Sequence, residues 1–434
     1  MLKMNRGVVI ISILIVAQLS VWAQNNTNSP YSRFGYGELA NRSFAAGRAM
    51  GGIGYGLRSS KQINPMNPAS YTSMDSLTFL FDFGAQAQMS WYDDGTNKQR
   101  YTNGNVEYMA MQFPLHKRIA MSVGLLPYSF VGYEFGGYKD EGDQPYSETF
   151  VGTGGLNELY AGLSIDIWKK RLSVGANIGY LFGNIDHEQN AVFYSADAEA
   201  DNSYRKQRIE VRDMKMDFGI QYTHPLSRTN RLVFGAVYSP AKKLHTKSYD
   251  IFHLGSSSSA GTTTTDTISN QRFDLPSSFG LGASFVKDNK LTIGADVMYE
   301  AWEKAYFFDK KSNFDNRFRV AAGVEYIPNQ TSRKYLQNIK YRAGAHYGNS
   351  YVNVNMKEGG VSKKYGYDEY GVSVGFGLPI KMGMQLHDNR SYINLSIEYV
   401  KVSPAIRTMI DEQYLRFAIN YTFNELWFLK QKVD

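Results

Sequence analysis

From about residue 77 to its end, the chain repeats segments in which apolar and polar residues alternate at every second position. This rhythm, more than any motif, limits the folds open to it. In the last segment Leu415, Phe417, Ile419, Tyr421 and Phe423 alternate with Arg416, Ala418, Asn420 and Thr422. Just before it, Ile393, Leu395, Ile397 and Tyr399 alternate with Asn394, Ser396 and Glu398. Such dyads describe a strand with one greasy and one wet face.

Read this way, strands are predicted over 77–91, 104–114, 117–132, 149–167, 171–185, 205–224, 231–249, 272–286, 290–302, 316–327, 338–350, 367–380, 391–401 and 413–424. That is an even set of fourteen, as in single-chain bacterial barrels. The connections after strands two, four, six and eight are short. Those after strands one, three, five and seven are long and polar, with serine and threonine runs at Ser256–Ser259 and Thr262–Thr265. Short turns on one side and long loops on the other imply an all-β transmembrane antiparallel barrel with both termini in the periplasm. A soluble sandwich would bury the apolar face instead. Here the other face carries many glycines and the charges Arg319, Glu325, Arg342, Glu398 and Arg416, which suit a wet lumen, and His346 joins them on the inward face.

Composition agrees. Mean hydropathy is −0.38, yet the chain holds 32 Tyr, 25 Phe and 40 Gly. A polar average with many aromatics fits a wall girdled at its two interfaces. The formal charge of +7 is dispersed, with no basic run to hold nucleic acid. There is no cysteine, which excludes disulfides and a lipid-anchored N-terminus.

Residues 1–23 read as a signal peptide: Lys3 and Arg6, then an apolar run, then Val21-Trp22-Ala23 as the cleavage site. Residues 24–76 are neither dyad-patterned nor a long amphipathic helix. They contain Gly47-Arg48-Ala49-Met50-Gly51-Gly52 and two Asn-Pro turns, of which Asn67-Pro68 is one. A compact, turn-rich segment ahead of the first strand is expected to fold into the lumen as a plug, with the barrel proper spanning 77–434. The glycines of Gly51–Gly56 lack the strand and helix that a phosphate loop requires, and are assigned to tight turns.

One strand breaks the rhythm. The third alternates through Ile119, Met121 and Val123, then meets Leu125-Leu126-Pro127. Proline donates no ladder hydrogen bond, and adjacent leucines shift the face register. Pro127 therefore marks either a local opening in the wall or the end of the strand. The aromatic stretch Tyr133–Tyr138 is expected in the following loop, as an interfacial girdle or a partner surface.

Together these features resemble the FadL/TodX (OmpP1) family of outer-membrane transporters, and Bacteroidetes relatives such as type IX secretion shuttle barrels. The resemblance is carried by Gly47–Gly52, the Asn67-Pro68-Ala69 turn, the strand count, and the ending with Phe423-Asn424 and Trp427-Phe428. It implies a hatch in the lumen, small hydrophobic ligands inside, and a kink in the third strand that opens sideways into membrane lipid. Leu125, Leu126 and Pro127 are then the gate. The alternative is a non-transporting barrel that serves as a subunit or docking site of a secretion or insertion machine, with envelope proteins as partners. A hydrophilic pore is disfavoured by the hatch. Enzymatic function is not expected. Of the seven histidines only His346 sits well inside a strand on the inward face, and no Gly-x-Ser-x-Gly elbow or His-Glu-x-x-His motif occurs, so no metal or cofactor is assigned.

Overall fold

A computed structural model describes residues 27–140, 145–193, 202–255, 262–268, 271–311, 314–358, 361–380 and 390–426. The wall is one closed antiparallel sheet of fourteen strands. These are β1 (Thr78–Asp93), β2 (Lys98–His116), β3 (Ile119–Lys139), β4 (Tyr146–Trp168), β5 (Leu172–Phe193), β6 (Asn202–Pro225) and β7 (Asn230–Ser239). They continue with β8 (Ser278–Lys287), β9 (Leu291–Glu300), β10 (Arg317–Tyr326), β11 (Lys340–Asn349), β12 (Tyr367–Ile380), β13 (Ser391–Pro404) and β14 (Asp411–Leu426). Each pairs with its neighbour in sequence, and β14 closes on β1 from Thr78↔Leu426 to Asp93↔Asp411. Closure leaves no edge within the lipid layer except where a strand pair parts.

The dyads set which face meets lipid. Phe279 and Leu281 on β8, Val372 and Val374 on β12 and Ile419 on β14 are large, apolar and at least half exposed. Their neighbours Ser284, Asp296, Ser373, Asn394, Glu398 and Asn420 are buried inside. An exposed apolar band with a polar interior reverses a soluble core and is the pattern of a membrane barrel.

Turns at one end are short, such as Lys117–Arg118 and Lys169–Arg171. At the other end, the long-loop end, β3 to β6 extend well past the expected boundaries, so most of the segments read as loops continue the ladder. Tyr133–Tyr138 is therefore strand, not loop: Tyr133 is buried with its ring stacked 5.9 Å from His187, and Phe135 packs inside. Of its three aromatic side chains only Tyr138 is exposed. Pro240 ends β7, and Thr246–Gly255 then carries the sheet on beside the upper part of β6, followed by Thr262–Ile268. The connection from β1 to β2, read as long, is a four-residue turn at Asp94–Asn97 because β2 begins early.

Residues 27–76 run inside the barrel. Thr27 lies near the long-loop end, where Asn28 reaches Asn103 and Ser29 reaches Glu412, whereas β14 ends at the short-turn end. The two described ends thus sit at opposite mouths. The segment contains short helical turns (Pro30–Arg33, Ala45–Arg48, Pro68–Ser73) and one two-residue strand, Glu38–Leu39. Inward glycines make room for its backbone. A Cβ on Gly344 would overlap the Met50 carbonyl carbon, and one on Gly51 would overlap Ala345 of the wall.

Aromatic side chains roof the lumen at the long-loop end. Tyr36 packs edge-on against Phe307 at 5.2 Å and Trp302 lies 4.4 Å from Tyr351. The Tyr351 hydroxyl donates to the Gly37 carbonyl at 2.6 Å and accepts from the Tyr36 amide at 3.1 Å. Burying each ring this fully stabilises the roof by about 1.5–3 kcal/mol.

Candidate functional site: a seam in the wall and the segment behind it

The wall parts between β2 and β3. Their pairing runs from His116↔Ile119 to Met109↔Leu125 and stops there. Beyond it, Lys98–Tyr108 pairs only with β1, and β3 continues to Lys139 with β4 as its one partner in the wall. Leu125, Leu126 and Pro127 sit where the two strands separate: Leu125 faces out, Leu126 is buried, and the ladder to β4 shifts register between Pro127 and Ser129. The same level carries Gly154, Gly155 and Gly183, all at positive φ, so the kink runs across three strands.

The inner segment covers the β3 side of this seam. Glu38 and Leu39 pair antiparallel with Phe130 and Ser129, and the Ala40 amide donates to the Tyr128 carbonyl at 3.0 Å. Higher up, Ser32 Oγ accepts from the Gly132 amide and donates to its carbonyl, each at 3.1 Å. Gly37, at φ +89°, lies so close to the Phe130 carbonyl that a Cβ would overlap it. The segment thus supplies hydrogen bonds that β2 withholds, as buried backbone in a membrane wall demands.

Ion pairs and hydrogen bonds tie the segment to strands all round the lumen. Arg48 pairs with Glu107 and donates to Gln86 at 2.6 Å. Arg42 bridges Glu158 at 3.2 Å and Asp217 at 3.0 Å. Arg58 reaches Asp166 at 3.2 Å. The Gly54 and Tyr55 amides donate to Asp296 at 2.6 and 2.8 Å, and the Gly51 amide donates to Ser373 at 3.0 Å. Asn67 caps the Pro68–Ser73 turn and donates to the Ile220 carbonyl at 3.2 Å. Such buried carboxylates need their cations, because removing one partner strands a charge.

The predicted polar residues are inward but have other partners than the inner arginines. Arg342 pairs with Glu325 at 2.7 Å and donates to Asn394 at 2.7 Å. His346 lies 3.0 Å from Glu369 and 3.7 Å from Glu398; Glu398 lies 3.5 Å from Arg416, which reaches Glu38 at 2.8 Å. A chain of charges therefore leads across the lumen to the strand covering the seam. Arg319 donates to the Gly51 carbonyl at 3.4 Å, and Gly52 packs against its guanidinium. Arg42, Glu107, Glu158, Asp166, Asp217 and Asp296 escaped the sequence reading. Their only signal was a charge on the polar side of a dyad or in the turn-rich segment.

Between seam and charges lies a cavity of about 130 Å³, lined on one side by Leu39, Pro127, Tyr128 and Phe130 and on the other by Arg319 and Glu369. Ordinary small-molecule pockets are larger, at roughly 300–1,000 Å³. A second cavity of about 690 Å³ opens at the short-turn end around Arg58, Lys61, Arg231 and Lys340. Among the described residues no cluster of His, Asp and Glu is arranged to hold a metal ion.

Solved structures share this architecture. The CymD monoaromatic hydrocarbon channel superposes with a TM-score of 0.59 at 14% identity, covering 89% of this chain and 99% of that one. A Pseudomonas aeruginosa FadL homologue does so at 0.56, 14% identity, 89% and 99%. The P. putida toluene transporter TodX gives 0.57, 14%, 89% and 99%. At that identity the likeness is one of fold, the FadL-type outer-membrane β-barrel. No curated protein matches. The model of one family, described as BamG, matches residues 1–434, and the chain belongs to the BamG family.

Proposed function

We propose that the inner segment is a plug, and that this barrel admits small hydrophobic molecules and releases them sideways into the bilayer through the seam between β2 and β3. The observation that carries this is the end of β2–β3 pairing at Leu125, directly beside Pro127 and in front of the lumen cavity. The names of the matched channels, for monoaromatic hydrocarbons and toluene, favour an apolar cargo of that size. At about 130 Å³ the cavity is too small for transit, so the Glu38–Leu39 strand has to leave β3 when cargo passes. On this reading the long-loop end faces outward and the turns face the periplasm. The test is toluene entry into liposomes carrying the intact mature chain. Entry faster than in empty liposomes supports the proposal, and equal rates contradict it.

A second reading has its own support. The plug is held by ion pairs from several strands, and β4 to β6 rise past the lipid band into an exposed sheet that ends at Thr262–Ile268, a strand paired on one side only among the described residues. A closed barrel with a projecting sheet suits a docking subunit of an outer-membrane secretion or insertion assembly. Mild detergent extraction with quantitative mass spectrometry separates the two: stoichiometric envelope partners favour docking, and a lone barrel with apolar cargo favours transport.

A further inference from the structure

The two mouths of the barrel treat charge differently. At the long-loop end several basic side chains have acidic partners: Lys98 with Asp93, Lys139 with Glu148, Arg205 with Asp250, Lys206 with Glu188 and Arg272 with Asp274. At the short-turn end the connections carry Lys117 and Arg118, then Lys169, Lys170 and Arg171, then Arg228, then Lys287 and Lys290, then Arg333 and Lys334, all exposed. Among the described residues none of these is in an ion pair, and the exposed acidic side chains beside them are Asp75 and Asp288. Cations spaced around five successive turns repel one another and persist only at some cost unless an anionic surface faces them.

Large apolar side chains stand beside these cations and point outward. Leu115 precedes Lys117 and is 53% exposed; Leu336 follows Lys334 and is 68% exposed. Ile167 and Trp168 precede Lys169, and the Arg171 guanidinium lies 5.5 Å from the Trp168 ring. Leu226 precedes Arg228 and is also exposed. Apolar groups at the edge of the lipid band with cations one or two residues beyond match a bilayer interface, where acyl chains give way to headgroups. An acidic protein seated across the mouth would be met by the inward cations Arg58, Lys61 and Lys340, and would leave this outward apolar and basic rim unused.

We infer that the short-turn rim is a binding collar for the anionic headgroups of surrounding lipid, with phosphate as the recognised group and the leaflet at that mouth as its source. The collar fixes the depth and tilt of the barrel and enriches acidic lipid around it. This does not depend on the transport reading, since a barrel that only docks would carry the same collar.

The test uses the intact mature chain in nanodiscs of equal phosphatidylglycerol and phosphatidylcholine, released for native mass spectrometry. Wild type is expected to retain phosphatidylglycerol several-fold over phosphatidylcholine. The variant Lys117→Gln/Arg118→Gln/Lys169→Gln/Lys170→Gln should fall towards parity. The long-loop variant Lys310→Gln/Lys311→Gln should match wild type, and heat-modified gel mobility confirms that each barrel is folded. Because the rim contacts lipid and not the core, neutralising it should leave folding intact. Equal retention of both lipids by wild type overturns the inference, as does an equal loss in both variants. It is also overturned if the reconstituted chain shows no lipid preference but binds a polyglutamate peptide in a rim-dependent way.

Discussion

Arg48 of the inner segment pairs with Glu107 because β2 carries one residue too many at that point. Opposite Gly84 and Ala85 the register slips, so Tyr108 and Val106 take ladder positions and Glu107 is left between them. The bulge turns both Glu107 and Tyr108 inward, where Phe44 stacks on the Tyr108 ring at 3.6 Å. A bulge is a common means of re-aiming a side chain in a sheet. Here one irregularity supplies both an ionic and an aromatic hold on the same turn of chain.

Glu107→Ala should therefore loosen the inner segment without unfolding the wall. Stranding a buried guanidinium costs about 3–5 kcal/mol. We expect faster amide hydrogen exchange across residues 41–50, with protection in β12 to β14 unchanged. Exchange as slow as wild type would show that the pair does not hold the segment.

Gly344→Leu attacks the same docking from the wall side. Its side chain would occupy the space of Met50, and overpacking of this kind costs about 1–3 kcal/mol. The expected result is a folded barrel with larger single-channel currents in planar bilayers. A silent bilayer would mean that the segment stays in place.

Gly37→Ala tests the seam. Alanine disfavours the left-handed backbone at this position and would press on the Phe130 carbonyl, so pairing of Glu38 and Leu39 with β3 should be lost. Under the transport proposal, toluene entry into liposomes should rise, and entry at the wild-type rate would contradict it.

His187, above the lipid band on β5, brings a pH dependence. Burial first, and then Arg33 nearby, push its pKa down from 6.5 to about 4, so the folded long-loop end holds it neutral against Tyr133. A folded-state pKa below the unfolded one means that acid favours opening. The stabilisation is intact above about pH 6.5 and fades as pH falls towards 4. Protection at the tips of β3 to β5, taken relative to the intrinsic exchange rate at each pH, should fall over that window in wild type, and less so in His187→Phe.

Much of the wall was legible in the sequence, because a period of two reports which face a residue occupies. The strand over 367–380 begins and ends where its dyads do, and fourteen strands were expected. Arg319, Glu325, Arg342, His346, Glu398 and Arg416 were placed inward for the same reason. Partners were not legible, since a dyad names a face and not what stands across the lumen. Arg48 and Arg58 of the inner segment pair with Glu107 and Asp166, which no spacing along the chain could show. Nor could alternation show how far β3 to β6 run, because their ladder continues where the two faces become mixed. Pro127 signalled a break, and only the pairing of β2 and β3 could show that the strands part there.

Under the transport proposal the Glu38–Leu39 strand closes a lateral path. Leu39 and Ser129 face each other across paired strands, and the chain has no cysteine of its own, so Leu39→Cys/Ser129→Cys offers a lock that a reductant can undo. The measurement is toluene entry into liposomes with the lock oxidised and then reduced. We expect entry to fall to the rate of empty liposomes when the bond forms and to rise again when it is broken; an undiminished excess over empty liposomes with the oxidised protein would contradict the account.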